Sequence, residues 1–322
     1  MSKPLRAAVV GVGYLGRFHA QKYATLAAAG GVELVGVVDA RRETAQRVAD
    51  ELGTRAFGDH RELLGAAPAV DLVSVASTTE THHAVARDFL AAGVHVLAEK
   101  PITVTVEQAD ELIALADARK LVLQVGHLER FNPAWLAVRD RIRKPVFIEA
   151  HRMAPFKARG IDVSVVLDLM IHDLDVVLAL DGSEPVQVEA VGVPVLTPKV
   201  DIANARLRFA SGLIANLTAS RVSMDKVRKF RVFAPATYVS VDFAAREAQV
   251  YRLEGGAAGP TIAVQRTSSP DEEPLRRQLA AFVESVRKGE PPRVSGRDGR
   301  RALALALTIL ERIQTGLAGG AP

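Results

Sequence analysis

The segment from Leu5 to Gly16, Leu-Arg-Ala-Ala-Val-Val-Gly-Val-Gly-Tyr-Leu-Gly, constrains the fold more than any other part of the chain. It sets an apolar strand before Gly11, Gly13 and Gly16, and a helix-like stretch from Arg17 to Ala28 after them. Strand, glycine turn and helix in that order make a phosphate-binding corner: Gly11 supplies the tight turn, Gly13 lets the backbone approach a pyrophosphate, and Gly16 lets helix and strand pack closely. Tyr14 and Leu15 fall in the same turn, where unpaired backbone N–H groups at the helix start favour an anion. A second strand, Val32 to Val38, ends in Asp39, about 20 residues beyond the glycines, where a carboxylate accepts from both ribose hydroxyls of a dinucleotide. That carboxylate repels a 2′-phosphate, which selects NAD over NADP even with Arg41 and Arg42 beside it. Asp39 can also cap a helix from Arg41 to Leu52.

The alternation continues with a helix from Arg61 to Leu64, a strand from Asp71 to Ala76, a helix from Thr81 to Ala92, a strand from Gly93 to Ala98, a helix from Val106 to Ala118 and a strand from Leu121 to Val125. Strands alternating with helices imply a doubly wound parallel sheet, a Rossmann domain over residues 1–125. The loop Ser77-Thr78-Thr79 leaves its strand on the cofactor side, where its hydroxyls can touch ribose or nicotinamide or, for Thr79 and Thr81, cap the next helix. Glu99-Lys100-Pro101 follows the strand at Gly93 to Ala98, which puts Lys100 at the mouth of the sheet, where ligands bind.

From residue 126 to 322 the pattern changes to an α+β domain with a mostly antiparallel open sheet. One helix, Val163 to Leu180, precedes strand-like runs at Val186–Val195, Ala203–Phe209, Leu213–Ser220, Lys229–Phe233 and Tyr238–Phe243, with a hairpin at Ser211-Gly212. Gly255–Pro260 and Ser268–Pro274 read as loops, and helices at Pro274–Val286 and Arg297–Gly316 close the domain. One face of such a sheet is commonly covered by a second copy, so a homodimer or homotetramer through this sheet is expected. In the long helix, Asp168 and His172 share a face at i, i+4, and Asp175 lies three residues further on. Their neighbours Val165-Val166-Leu167 and Leu169-Met170-Ile171 are apolar, so a polar face there needs a reason, and a carboxylate with an imidazole suits proton transfer. His82 and His83 open another helix and read as structural.

Composition narrows the classes. No apolar run reaches membrane-spanning length and no signal region precedes the first strand, so a cytoplasmic protein is expected. The chain has no cysteine, which excludes disulfides and thiolate chemistry. A metal would need His172, Asp168 and Asp175, a set without a third strong ligand, so none is expected. The net charge of +4 comes largely from late Arg and Lys pairs interspersed with acids and few aromatics, a solvated helical surface instead of a nucleic-acid groove.

Together, Gly11-Val12-Gly13-Tyr14-Leu15-Gly16, Glu99-Lys100-Pro101 and Asp168-Leu169-Met170-Ile171-His172 resemble the glucose–fructose oxidoreductase and inositol dehydrogenase family, Gfo/Idh/MocA. The resemblance implies an NAD-dependent dehydrogenase whose catalytic residues are Lys100, Asp168 and His172, with Lys100 or His172 as the base, and with Glu99 beside the cofactor. Met170 stands where the family usually has glycine, and Thr78 where proline is common, which bears on substrate shape. The stretches Val125 to Pro133 and Glu149 to Lys157 are similar to a branch that oxidises the 3-hydroxyl of UDP-N-acetylglucosamine. That likeness implies a UDP-sugar substrate held by Arg130, Asn132, Arg152, Lys157 and Arg159, the cations gripping the diphosphate and Phe131 or Phe156 packing on a ring. The alternatives are a UDP-sugar uronate or a simple polyol as substrate, the cations of the Arg152 to Arg159 stretch serving the uronate, or an NAD-binding sensor without catalysis.

Overall fold

The computed structural model describes residues 3–28, 30–157, 163–256, 259–269 and 271–319. The chain divides into two compact units, Met1–Leu128 with Leu275–Arg300, and Glu129–Pro274 with Arg301–Pro322. In the first unit the order is β1 (Leu5–Val10), α1 (Tyr14–Ala27), β2 (Val32–Val38), α2 (Arg42–Leu52), β3 (Ala56–Phe57), α3 (His60–Leu64), β4 (Leu72–Val75), α4 (Thr79–Ala91), β5 (His95–Ala98), α5 (Val106–Arg119) and β6 (Leu123–Val125). Runs such as Leu72 to Val75 are buried throughout, as a parallel sheet covered on both faces requires. The six strands are all parallel, in the order β3-β2-β1-β4-β5-β6. The order reverses between β1 and β4, and the carboxyl ends of those two strands frame the crevice where such sheets take ligands. The two-residue β3 has no sequence signature, being too short to show a period.

The second unit holds α6 (Pro133–Val138), β7 (Phe147–Met153), α7 (Ile171–Asp181), β8 (Pro185–Val193), β9 (Ile202–Phe209), β10 (Ile214–Ser220), β11 (Val227–Ala234), β12 (Thr237–Asp242), β13 (Glu247–Gly256) and β14 (Gly259–Ser268). Its sheet runs β14-β13-β12-β11-β7-β10-β9-β8, with β7 and β10 parallel and the other pairs antiparallel. Three of these strands, β7, β13 and β14, were not expected, and the expected loop at 255–260 is narrower because β13 reaches Gly256 and β14 resumes at Gly259. One face of the sheet packs Ala205, Leu217, Phe230 and Val239 against Trp135 of α6 and Leu174 and Val177 of α7.

On the other face, register aligns Phe147 with Phe233, Phe233 with Tyr238, and Tyr238 with Tyr251. Their rings stack across four strands at 5.6, 4.9 and 5.3 Å between centroids.

Two helices end the chain, α8 (Pro274–Lys288) and α9 (Gly296–Gly319). The expected division gave both to the second domain; in the structure Leu275–Arg300, all of α8 and the start of α9, groups with the first unit, while α9 from Arg301 stays with the second. Leu275, Leu279, Phe282 and Val283 of α8 share a buried cluster with Val9, Val12, Tyr23 and Leu97. The Val125 N–H donates to the Val294 carbonyl at 3.0 Å. The reason is visible in α8 itself, whose apolar residues at i, i+4, i+7 and i+8 make a stripe that the first sheet's helix layer buries.

Candidate active site

The dinucleotide half lies at the ends of β1 and β4. Gly11 has φ +82°, and a Cβ there would lie 2.5 Å from Ser77 Cα, so only glycine lets the two strand ends approach. A Cβ on Gly16 would meet the Gly11 carbonyl oxygen at 1.7 Å. At Gly13 a Cβ would meet nothing within 4 Å, so the backbone at the start of α1 lies open. Tyr14 and Leu15 begin α1 and are exposed beside it. The Asp39 carboxylate accepts the Val12 N–H at 3.1 Å and the Arg41 N–H at 3.0 Å, one on each oxygen, and each oxygen keeps a lone pair for a ribose hydroxyl. It does not cap α2, whose N-cap is Arg41. The cradle and the acceptor fit a dinucleotide.

The loop after β4 is tied down locally. Ser77 Oγ and Thr81 Oγ1 are 2.7 Å apart, and Thr81 Oγ1 donates to the Thr78 carbonyl at 2.8 Å. Thr78 is the N-cap of α4, in place of the expected Thr79 or Thr81, and caps without a side-chain bond. After β5, the Glu99 carboxylate turns into the interior, 3.1 Å from His19 Nε2 and 3.4 Å from Gln278 Nε2, and accepts the Lys100 N–H at 3.3 Å. A Cβ on Gly126 would stand 2.4 Å from Glu99 Oε1, which accounts for glycine there. Glu99 therefore does not offer its carboxylate to a cofactor as expected; it holds the base of the turn, and Lys100 is half-buried at its tip. Burial would raise the Glu99 carboxyl, but His19 and Lys100 outweigh it and hold it below the usual range.

In the second unit the expected helix opens with a π-helical turn, Val166–Met170, and continues as α7. Such turns are frequent at functional sites. Asp168 lies in it and His172 in the first turn of α7, both half-buried. Directly after His172 the helix is anchored from below. Arg152 donates to both oxygens of Asp173, at 2.9 and 2.8 Å, and to Glu129 Oε1 at 2.8 Å. Asn132 donates to Glu129 Oε2 at 3.1 Å and to the Phe243 carbonyl at 3.0 Å, while its Oδ1 accepts the Ala134 N–H as the cap of α6. Arg130 donates to Asp175 at 3.4 Å. Burial pushes the Asp173 carboxyl up and the Arg152 guanidinium opposes it.

This network corrects the expected substrate role of Arg152 and Asn132. Arg152 is 2% exposed with its donors committed to two carboxylates, because it alternates with Ile148 and Ala150 on the inner face of β7. Phe131 is core and Phe156 exposed. Lys157 is exposed, and Arg159 lies outside the described residues. Sequence reasoning missed Arg228, which stands in register with Arg152, 3.8 Å from Glu129, at 37% exposure; its position two residues before Phe230 marks the inner face. Among the described residues no group of three His, Asp or Glu side chains is placed to hold a metal ion.

Comparison with known proteins matches residues 5–127 to the oxidoreductase family, NAD-binding Rossmann fold, and residues 142–236 to the GFO/IDH/MocA C-terminal domain. The chain belongs to the Gfo/Idh/MocA family. It is thus an NAD-dependent oxidoreductase, as the glycine turn and Asp39 indicated. It is 43% identical over 309 residues, 95% of this chain and 96% of the other, to UDP-N-acetylglucosamine 3-dehydrogenase of Acidithiobacillus ferrooxidans. A solved structure of that enzyme superposes with a TM-score of 0.89 at 41% identity, covering 97% of this chain and 98% of the other. Myo-inositol 2-dehydrogenase of Thermotoga maritima is 28% identical, with 96% of each chain covered.

Proposed function

We propose that this member of the family oxidises the 3-hydroxyl of UDP-N-acetylglucosamine to the 3-keto sugar nucleotide, the kind of carbonyl an aminotransferase then converts to an amine in lipid A synthesis. The observation that carries the reading is the 43% identity to the UDP-N-acetylglucosamine dehydrogenase across 95% of the chain. Bound NAD supplies the hydride acceptor. Asp39 orients the adenosine ribose, and the open backbone at Gly13 receives the pyrophosphate. Lys100, as an ammonium, donates to the sugar oxygen and stabilises its developing charge, while His172 takes the hydroxyl proton and Asp168 orients it or a neighbouring hydroxyl. Arg130 and Lys157 are the candidates for the diphosphate. A uronate substrate would need a further cation, and Arg152, committed to Asp173 and Glu129, does not supply one. The enzyme works in the cytoplasm as a homodimer or homotetramer.

The test uses UDP-N-acetylglucosamine carrying deuterium at carbon 3. Deuterium should pass to NAD, and the keto product should be trapped by hydroxylamine. UDP-N-acetylglucosamine uronate and myo-inositol, run in parallel, should give little NADH; faster turnover of either would replace the proposed substrate. Lys100→Met and His172→Asn should each slow single turnover roughly a hundredfold with NAD still bound.

A further inference from the structure

His82 lies on the first turn of α4, fully enclosed, and its ring touches two carbonyl oxygens: Nδ1 is 2.9 Å from the Pro101 oxygen and Nε2 is 3.1 Å from the Ser77 oxygen. Those carbonyls belong to different turns. Ser77 follows β4 and abuts Gly11 of the glycine turn, whereas Pro101 follows Lys100. Neither oxygen can donate, so a neutral imidazole satisfies one contact and the imidazolium satisfies both. The charged groups facing the ring are Glu99 from the end of β5, itself paired with His19, and Glu80 from the same helix. Burial outweighs the two carbonyls and two carboxylates that favour the ring proton and holds the imidazole below its usual range, so the neutral ring donates to one carbonyl and only acid gives it a second N–H. The Ser77 hydroxyl is already paired with Thr81, so its carbonyl is the handle that reaches His82.

We propose that His82 is a positioning residue of the dehydrogenase: its ring pins the Ser77 turn to the Pro101 turn and so fixes Lys100 relative to the dinucleotide cradle. This rests on the proposed catalytic role of Lys100. The sequence reads His82 as merely structural, and the geometry gives it a partner in each of the turns that follow β4 and β5. Losing the imidazole removes the N–H that one carbonyl accepts and the nitrogens that span the two turns, and frees the Lys100 turn to shift by more than hydride transfer tolerates.

The test compares wild type with His82→Phe, which keeps a ring and removes its N–H donor, and His82→Gln, which keeps a donor amide. With UDP-N-acetylglucosamine, His82→Phe should lose at least tenfold in single-turnover hydride transfer while the Kd for NADH stays within about threefold, and His82→Gln should recover part of the rate. Amide exchange at Lys100, Ile102 and Thr103 should quicken in His82→Phe, a readout independent of substrate. In wild type, nitrogen-15 spectra should show one protonated His82 ring nitrogen at neutral pH and both in acid, and the amide exchange of the Lys100 turn should change across that transition in wild type and not in His82→Phe. If His82→Phe does not fold, the result for His82→Gln decides. Wild-type rates in the folded variants, or unchanged exchange in the Lys100 turn, would overturn the proposal. A wild type that makes no NADH while the exchange still quickens would instead overturn the proposed reaction.

Discussion

The Asp39 carboxylate holds the glycine turn through Val12 and the Arg41 backbone, and in the proposed role its remaining lone pairs accept from a ribose. Asp39→Ala should therefore weaken NAD by tenfold or more and NADP by less, because the repulsion of the 2′-phosphate goes with the acceptor. Fluorescence titration of both reduced cofactors measures this, and equal losses would remove Asp39 from its role. Gly11 and Gly16 were legible as turn and packing residues because a special backbone and a close approach demand glycine, and Asp39 as a strand-end carboxylate because its offset from the glycines is fixed. Those that sequence reading misplaced, Glu99, Asn132 and Arg152, are polar groups that the interior uses for itself. For Arg152 a signal was present: its parity with Ile148 and Ala150 puts a guanidinium inside, which is tolerable only with carboxylates beside it.

The same network operates at the scale of elements, since Arg152 on β7, Glu129 before α6 and Asp173 on α7 lock three elements together. Arg152→Ala leaves two buried carboxylates without their cation and should destabilise the fold by about 3–5 kcal/mol, read from urea unfolding. A loss under 1 kcal/mol would mean that water reaches the pair. A second anchor precedes the π-helical turn. Asp201 accepts the N–H groups of Val195, Leu196 and Thr197 and the Thr197 hydroxyl, and pairs with Arg221 at 3.1 Å, whose guanidinium in turn donates to the Val163 carbonyl. Burial works against the charge, but the Thr197 hydroxyl and those N–H groups hold the Asp201 carboxyl down at about 2. The folded value lies below the unfolded one of about 3.9, so its stabilisation is complete above that pH and disappears as pH falls through about 2. Asp201→Asn should be much less stable than wild type at pH 6, with the gap closing in acid; a gap independent of pH would contradict the assignment. Elements with a clear period were legible, but β7 was not, because Arg152 puts a charge in its inner row, and β13 and β14 were not, because apolar residues such as Leu253, Ile262 and Val264 fall on exposed positions and blur the alternation.

For the whole molecule, the aromatic row from Phe147 to Tyr251 is the face on which the proposed oligomer would form, with Phe233 of that row 36% exposed. Phe233→Glu should dissociate the proposed oligomer to monomers in light scattering while leaving the circular dichroism of the fold intact; an unchanged mass would exclude this face as the interface. The parallel-then-antiparallel plan of the molecule was legible from the change of period near residue 126, but the return of residues 275–300 to the first unit was not, since a helix stripe shows that it is buried and not where. That return governs how the chain is made. A ribosome that has released residue 128 has delivered every strand of the nucleotide sheet, yet Leu275, Leu279, Phe282 and Gln278 are still to be synthesised, on the order of ten to thirty seconds later. The amino-terminal half thus waits, exposed along one side, until translation is almost finished, and a nascent chain stalled before α8 is one for chaperones to hold.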